Sequence, residues 1–158
     1  MTRLPTLGPR GEGWFAIQVV LLGAIAVSAG LGPVVSGAPR LAGIAAGGAA
    51  LLVSAAVALR CVRDLRDALT PLPRPRHGAD LVESGPYGVV RHPIYSALIL
   101  GAIGWALIWA SPLTLALAVV LFVFFDLKSR REEEWLAAAY PRYGPYRART
   151  RRLIPFVY

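Results

Sequence analysis

The sequence predicts an all-α integral membrane protein: four transmembrane helices with a cytoplasmic C-terminal helical and tail cap, in a single membrane domain over residues 1–158. Three observations lead there. The chain is 56% hydrophobic, with a mean hydropathy of +0.54, whereas soluble chains hold roughly half apolar and a quarter charged residues. Only 16% of its residues are charged, and they are excluded from four long runs. Its 17 Lys and Arg outnumber 9 Asp and Glu and lie between those runs. That placement fits cytoplasmic loops of a membrane protein rather than a nucleic-acid-binding face.

The first span, about 14–31, is the centre of an uncharged run from Gly13 to Pro39. At about 1.5 Å per residue it reaches roughly 27 Å, close to the hydrocarbon thickness of a bilayer. The run continues past Ala24-Ile25-Ala26, so it reads as a span and not as the core of a cleaved signal peptide, normally about 7–15 residues. The second span, about 41–59, is rich in Gly and Ala. Gly43 and Gly47 stand in a register that lets a neighbouring helix approach closely. The third and fourth spans, about 93–109 and 112–127, are separated by a turn at Ala110 and Ser111. Each covers about 25 Å, so a re-entrant hairpin is the alternative to two full spans. Pro93 and Pro112 suit a first helical turn, and Ser111 is a good N-cap for the fourth span. Beyond it the helix is expected to run to about Ala139, where Pro141 stops it.

Lys and Arg number two before the first span, one between the first two, six from Arg60 to Arg91, none at the Ser111 turn and eight in the segment 128–158. The alternation, which uses Arg3 among others, places both termini and the middle loop in the cytoplasm of a multi-pass inner-membrane protein. A single cysteine, Cys61, excludes an internal disulfide, and no Cys/His spacing suits a metal. Gly30-Leu31-Gly32 lacks the strand and third glycine of a dinucleotide-binding loop.

Polar chemistry is confined to two segments. In the first, Gly85-Pro86-Tyr87-Gly88 is turn chemistry, and Pro93 pushes His92 out of helical geometry. His92 is thereby placed at the N-cap of the third span, where free N–H groups and Arg91 favour a carboxylate or phosphate, with Tyr95 one turn in. The plainer alternative makes Arg91 a lipid-phosphate contact and Tyr87 and Tyr95 members of an aromatic belt. In the second segment, Glu133, Leu136 and Tyr140 share a helix face and Glu132 is turned about 100° away, so only one of the paired glutamates is expected to line a given pocket. The competing reading there is a solvated helix with Arg130 and Arg131 compensating the acids.

Together the segments resemble the isoprenylcysteine carboxyl methyltransferase family and its phospholipid N-methyltransferase relatives. The resemblance rests on Ser84 to Tyr87, Arg-His-Pro-x-Tyr from Arg91 to Tyr95, the hairpin proline Pro112, Glu-Glu-x-x-Leu (Glu132, Glu133, Leu136), the Tyr143/Tyr146 pair and Leu153-Ile154-Pro155. It covers about the last half of the chain. Two positions depart from the pattern: Ala97 replaces a common glycine, and Tyr140-Pro141-Arg142 replaces a Phe-Gly.

The resemblance implies an S-adenosyl-L-methionine pocket between the third and fourth spans at the cytoplasmic face, closed by the C-terminal tail. Leu81, Val82, Gly85 and Tyr87 would wrap the adenosine. His92, Tyr95, and Glu132 or Glu133, with Glu133 preferred, would hold the amino-acid end. Arg91 is expected to grip an acceptor carboxylate with two prongs, and Glu133 to take a proton from an amine acceptor. The acceptor is expected to be lipophilic, a prenylated carboxylate among the candidates, entering sideways from the bilayer beside the third span. No nucleic-acid partner is expected, and the oligomeric state stays open. Two other classes remain: a non-catalytic four-span transporter or interaction protein, and an NADPH-dependent membrane reductase. Transport is disfavoured because no ionisable residue interrupts the spans before Asp126.

Overall fold

The computed structural model describes residues 4–31, 36–75 and 78–158, so Arg3 and Gly32 lie outside it. The four apolar runs are four α-helices: α1 (Glu12–Ser28), α2 (Ala38–Leu65), α3 (Pro93–Trp109) and α4 (Pro112–Ala139). A short α5 (Tyr143–Arg149) follows. Glu12–Leu31, Ala38–Leu65 and Pro112–Ala139 are long and apolar enough to cross a membrane, while α3 is equally apolar but has only 17 residues. The first helix ends at Ser28 and finishes as a 3₁₀ turn to Leu31. The second runs six residues past its expected end, to Leu65. Large apolar side chains point outward along the helices, with Val20 71% and Leu52 74% exposed, the surface expected of a protein solvated by lipid.

Local chemistry sets the helix ends. The Ser111 side chain accepts from Thr114 N–H at 3.2 Å, capping α4 as its position predicts. Ala110 closes the α3–α4 turn in the left-handed region (φ 47°), letting Ser111 N–H reach Ala106 O at 3.0 Å.

Each helix runs antiparallel to its packing partner. On α2 and α3, Gly47 meets Gly104 and Gly43 faces Leu107, while Ser54 Oγ donates to Ala97 O at 2.7 Å. A Cβ on Gly47 would lie 2.5 Å from Gly104 O and 2.7 Å from Ile108 Cγ1. Gly47→Ala should therefore destabilise the protein by about 1–3 kcal/mol through overpacking. Gly48→Ala, where a Cβ meets nothing within 4 Å, should cost nothing. Thermal unfolding in detergent of the two variants reads the difference, and equal midpoints would contradict the close packing.

Along α1 and α4, Trp14 packs on Phe124, Ser28 Oγ and Thr114 Oγ1 share a hydrogen bond of 2.9 Å, and Lys128 Nζ donates to Gln18 Oε1 at 2.5 Å. These pairings bring the start of α1, the end of α2, the start of α3 and the far third of α4 to one end of the bundle. The site is there.

Candidate active site

The Ser84–Gly88 turn positions the entrance to α3. Gly85 has φ 60°, and its Cα packs against the Asp64 side chain of α2. A larger residue would be strained at that angle and would clash with the carboxylate. The chain then meets the C-terminal tail in a parallel bridge. Arg91 N–H donates to Arg151 O at 2.8 Å, His92 N–H to Arg152 O at 3.1 Å and Arg151 N–H to Val89 O at 3.1 Å. Ser96 Oγ adds a bond of 2.5 Å to Leu153 O. Two tyrosines pin the remaining cover: Tyr146 OH donates to Tyr87 O at 2.8 Å and Tyr140 OH to Ala79 O at 2.7 Å.

These elements enclose a cavity of about 380 Å³ between α3 and the extension of α4, within the usual range of ligand pockets, roughly 300–1,000 Å³. Its apolar wall includes Leu69, Pro71, Leu81, Val82, Ile94 and Leu136. Its polar wall includes Gln18, Tyr87, Arg91, His92, Tyr95, Glu132 and Tyr143. His92 occupies the N-cap position of α3, as its place before Pro93 predicts. Its ring stacks on Tyr95, which stacks in turn on Phe125, with centroids 5.3 and 4.4 Å apart. The imidazole sits between the paired glutamates, Nδ1 at 3.7 Å from Glu132 Oε2 and Nε2 at 3.4 Å from Glu133 Oε1. The second approach lacks hydrogen-bond alignment, leaving Nε2 buried without a partner.

The two glutamates have different surroundings. Glu132 lines the cavity and accepts from Tyr95 OH at 2.6 Å. Glu133 does not line it. Only 3% exposed, Glu133 takes Arg91 Nε at 2.8 Å and Arg152 Nε at 3.4 Å, with Arg147 Nε at 3.7 Å. Burial opposes its ionisation, but nearby His92 and Arg91 outweigh that and hold the carboxyl down at about 2. The preference for Glu133 as the pocket carboxylate is thus corrected: at this helix phase the cavity meets Glu132, while Glu133 faces the tail.

Two further expectations change. Arg91 lines the cavity, but its Nε is held by Glu133 and its Nη1 by Thr150 O at 2.6 Å and Arg147 O at 3.2 Å. It cannot offer the expected two-pronged grip. Gly85 is among the turn residues outside the cavity wall and acts by shaping the turn. Leu81, Val82, Tyr87, His92, Tyr95 and Glu132 do converge on the one cavity.

Sequence reasoning gave no site role to Gln18, Lys128 or the wall residues between Leu65 and Pro75, and named Tyr143 only as part of the tyrosine pair. Lys128 is fully buried, with Nζ on Gln18 and 5.2 Å from the Tyr95 ring centroid. A lone amide inside the first apolar run was the available signal for Gln18, since a polar residue in a span is expected to find a partner.

On the opposite side of the 86–96 segment lies a larger cavity, about 710 Å³, between α2, α3, α4 and the tail. Its lining is almost wholly apolar and includes Val53, Val57, Val90, Ile103, Val119 and Leu153.

The chain is 35% identical over 81 residues to the cobalt-zinc-cadmium resistance protein CzcN of Cupriavidus metallidurans, covering 51% of this chain and 38% of the relative. It is 34% identical over 79 residues to protein-S-isoprenylcysteine O-methyltransferase B of Arabidopsis thaliana, covering 49% and 40%. A probable protein-S-isoprenylcysteine O-methyltransferase of Oryza sativa subsp. indica is 33% identical over 79 residues, covering 49% and 41%. The matches thus span about two-fifths of the length of these curated relatives. The phospholipid methyltransferase family model matches residues 42–143, from the start of α2 to the start of α5, and includes every described residue lining the small cavity except Gln18 of α1 and Tyr146 of α5. With that much of the chain matched, and with the Arg91–Tyr95 and Glu132–Glu133 segments facing each other inside it, the protein belongs to the phospholipid methyltransferase family.

Proposed function

We propose that the protein is an S-adenosyl-L-methionine-dependent methyltransferase of the inner membrane, working at the cytoplasmic face on a lipophilic acceptor. The observation that carries this reading is the small cavity. One carboxylate, Glu132, and the imidazole of His92 line it at the entrance of α3, opposite an apolar wall. A zwitterionic amino acid joined to an adenosine fits this pairing: the ammonium goes to Glu132, the carboxylate to the His92 side, and the adenosine against Leu81, Val82 and Tyr87. All four helices cross the bilayer in this reading, with both termini in the cytoplasm.

Bound there, the cofactor supplies a methyl group on a positively charged sulfur, ready for in-line displacement. The chain's part is alignment and exclusion of water. The parallel bridge to Arg151 and the Tyr140 and Tyr146 bonds hold the cover over the cavity. The apolar cavity of about 710 Å³ accommodates the acceptor's hydrocarbon. Arg91, lining the small cavity, contributes positive charge toward an acidic acceptor. An acceptor carboxylate needs no proton removed, whereas an amine needs a base, and Glu133 is tied to Arg91 and Arg152 outside the cavity wall. This favours a prenylated carboxylate as acceptor, in line with the names of the plant relatives.

The test is ligand-induced stabilisation of the detergent-solubilised protein. S-adenosylmethionine and S-adenosylhomocysteine should each raise the melting point, by the equivalent of about 2.7 kcal/mol at a hundredfold excess over the dissociation constant. His92→Ala should remove the shift. A response to NADPH alone would point to a reductase, and silence toward all three to a non-catalytic protein.

A further inference from the structure

Beyond its bridge to the entrance of α3, the tail closes into a tight turn over 153–158. The N–H groups of Leu153 and Ile154 both donate to Tyr158 O, at 2.8 and 2.7 Å, and Tyr158 N–H donates back to Ile154 O at 3.0 Å. Leu153 is buried, but the tip of the turn faces outward: Phe156 is 84% exposed and Val157 75%. Phe156 also holds φ 64°, a left-handed conformation that bulky residues rarely adopt. A well-bonded turn that throws an aromatic ring and a valine away from the protein presents them to a partner.

The Tyr158 hydroxyl fixes where that tip lies. It donates to Asp126 Oδ1 at 2.7 Å and accepts from Arg130 Nη2 and Arg152 Nη1, each at 3.0 Å. Val119, Val123, Asp126 and Arg130 recur at helical spacing along α4 and form one stripe. The apolar half of the stripe is bare, with Val119 60% and Val123 52% exposed, and the change from valine to charged residues marks the edge of the hydrocarbon. The turn hangs from the stripe at that edge. Leu153, Ile154 and Pro155 extend the same apolar surface, since they line the large cavity together with Val119 and Phe122. Phe156 and Val157 are therefore level with the boundary between headgroups and acyl chains, where apolar side chains of surface-docking segments bury. Half-exposed Arg130, beside the turn, suits a lipid phosphate.

We propose that the 153–158 turn is a membrane-docking element, with Phe156 and Val157 inserted into the leaflet on the side of the small cavity and Arg130 among its headgroups. The proposal rests on α4 crossing the bilayer and is independent of the methyl-transfer reading. Arg151 O and Arg152 O accept from the N–H groups of Arg91 and His92, so a turn seated in lipid also steadies the entrance of α3 and ties the wall of the small cavity to the bilayer.

Nitroxide labels on the full chain, in nanodiscs of phosphatidylcholine and phosphatidylglycerol, test the proposal. The native thiol of Cys61 is fully buried and out of the label's reach. Val157→Cys, Val123→Cys and Ala138→Cys are compared by how often each label collides with oxygen, which concentrates in lipid, and with a water-soluble nickel chelate. Val123 reads the span; Ala138, exposed and about 18 Å further along α4 than Asp126, reads water. At position 157 the ratio of oxygen to chelate collisions should lie above that at 138 and approach that at 123, and adding Phe156→Asp should lower it toward the value at 138. A ratio at 157 equal to that at 138, or one that Phe156→Asp leaves unchanged, would overturn the proposal. So would a label at 157 shielded from both reagents or broadened by the label of a second copy, since protein would then cover the turn. If position 123 itself behaves like 138, α4 does not cross the bilayer, and the docking element falls with that reading.

Discussion

Glu132→Gln should lower the affinity for S-adenosylmethionine at least about thirtyfold, since losing one partner of a buried charge pair costs about 2–5 kcal/mol. The fold should not change. Glu132 meets the cavity and the Tyr95 hydroxyl, and a glutamine still accepts that hydrogen bond while losing the charge an ammonium needs. Calorimetric titration together with far-ultraviolet circular dichroism reads both halves of the prediction. Unaltered affinity in a folded Glu132→Gln protein would show that the ligand's ammonium is held elsewhere.

Glu133→Gln should act in the opposite way, destabilising the protein by about 3–5 kcal/mol because it leaves buried positive charges uncompensated. Arg91, Arg152 and Arg147 all converge on this carboxylate, and Arg91 and Arg152 also anchor the tail through Thr150 O and Asp126 Oδ1. Loss of the charge should free the tail before the helices, so limited trypsin should cut at Arg147–Arg152 in the variant under conditions that spare wild type. The pH dependence follows from the same group. Its carboxyl lies at about 2 in the folded protein against 4.5 ordinarily, so its stabilising contribution is complete above about 4.5 and is lost as the pH falls toward 2. Wild type should weaken across that acid window, and Glu133→Gln should show a shallower decline there. Parallel acid profiles for the two proteins would contradict the assignment of Glu133 to the tail.

These two adjacent residues show where sequence reading stops. The spacing of Glu132 and Glu133 states that they face about 100° apart, and the structure separates them accordingly. Which one faces the cavity depends on how α4 is rotated against α3 and the tail, and no local pattern encodes that. The cavity wall takes Glu132 rather than the preferred Glu133, and one of the two only, as the spacing argument states. Other features were legible because they are local. Pro93 and the Ala110–Ser111 turn bound α3 as expected, Ser111 caps α4, and Pro141 ends the helical run after Ala139. The close approach at Gly43 and Gly47 was also readable, although its partners Leu107 and Gly104 were not.

The sequence by itself determined the apolar helices, their order, their caps and the two segments that carry polar chemistry, because hydrophobic periodicity, proline and capping residues act within a few positions of themselves. The tertiary structure alone decided the Gln18–Lys128 contact across 110 residues, the pairing of Arg91 with Glu133, the bridge that seats the tail on Val89 to His92, and the burial of Tyr143 beside the cavity. Each of those joins distant parts of the chain, and its existence depends on how whole helices pack. Pairwise charge and hydrogen bonding select a partner only after packing has brought the candidates within a few ångströms.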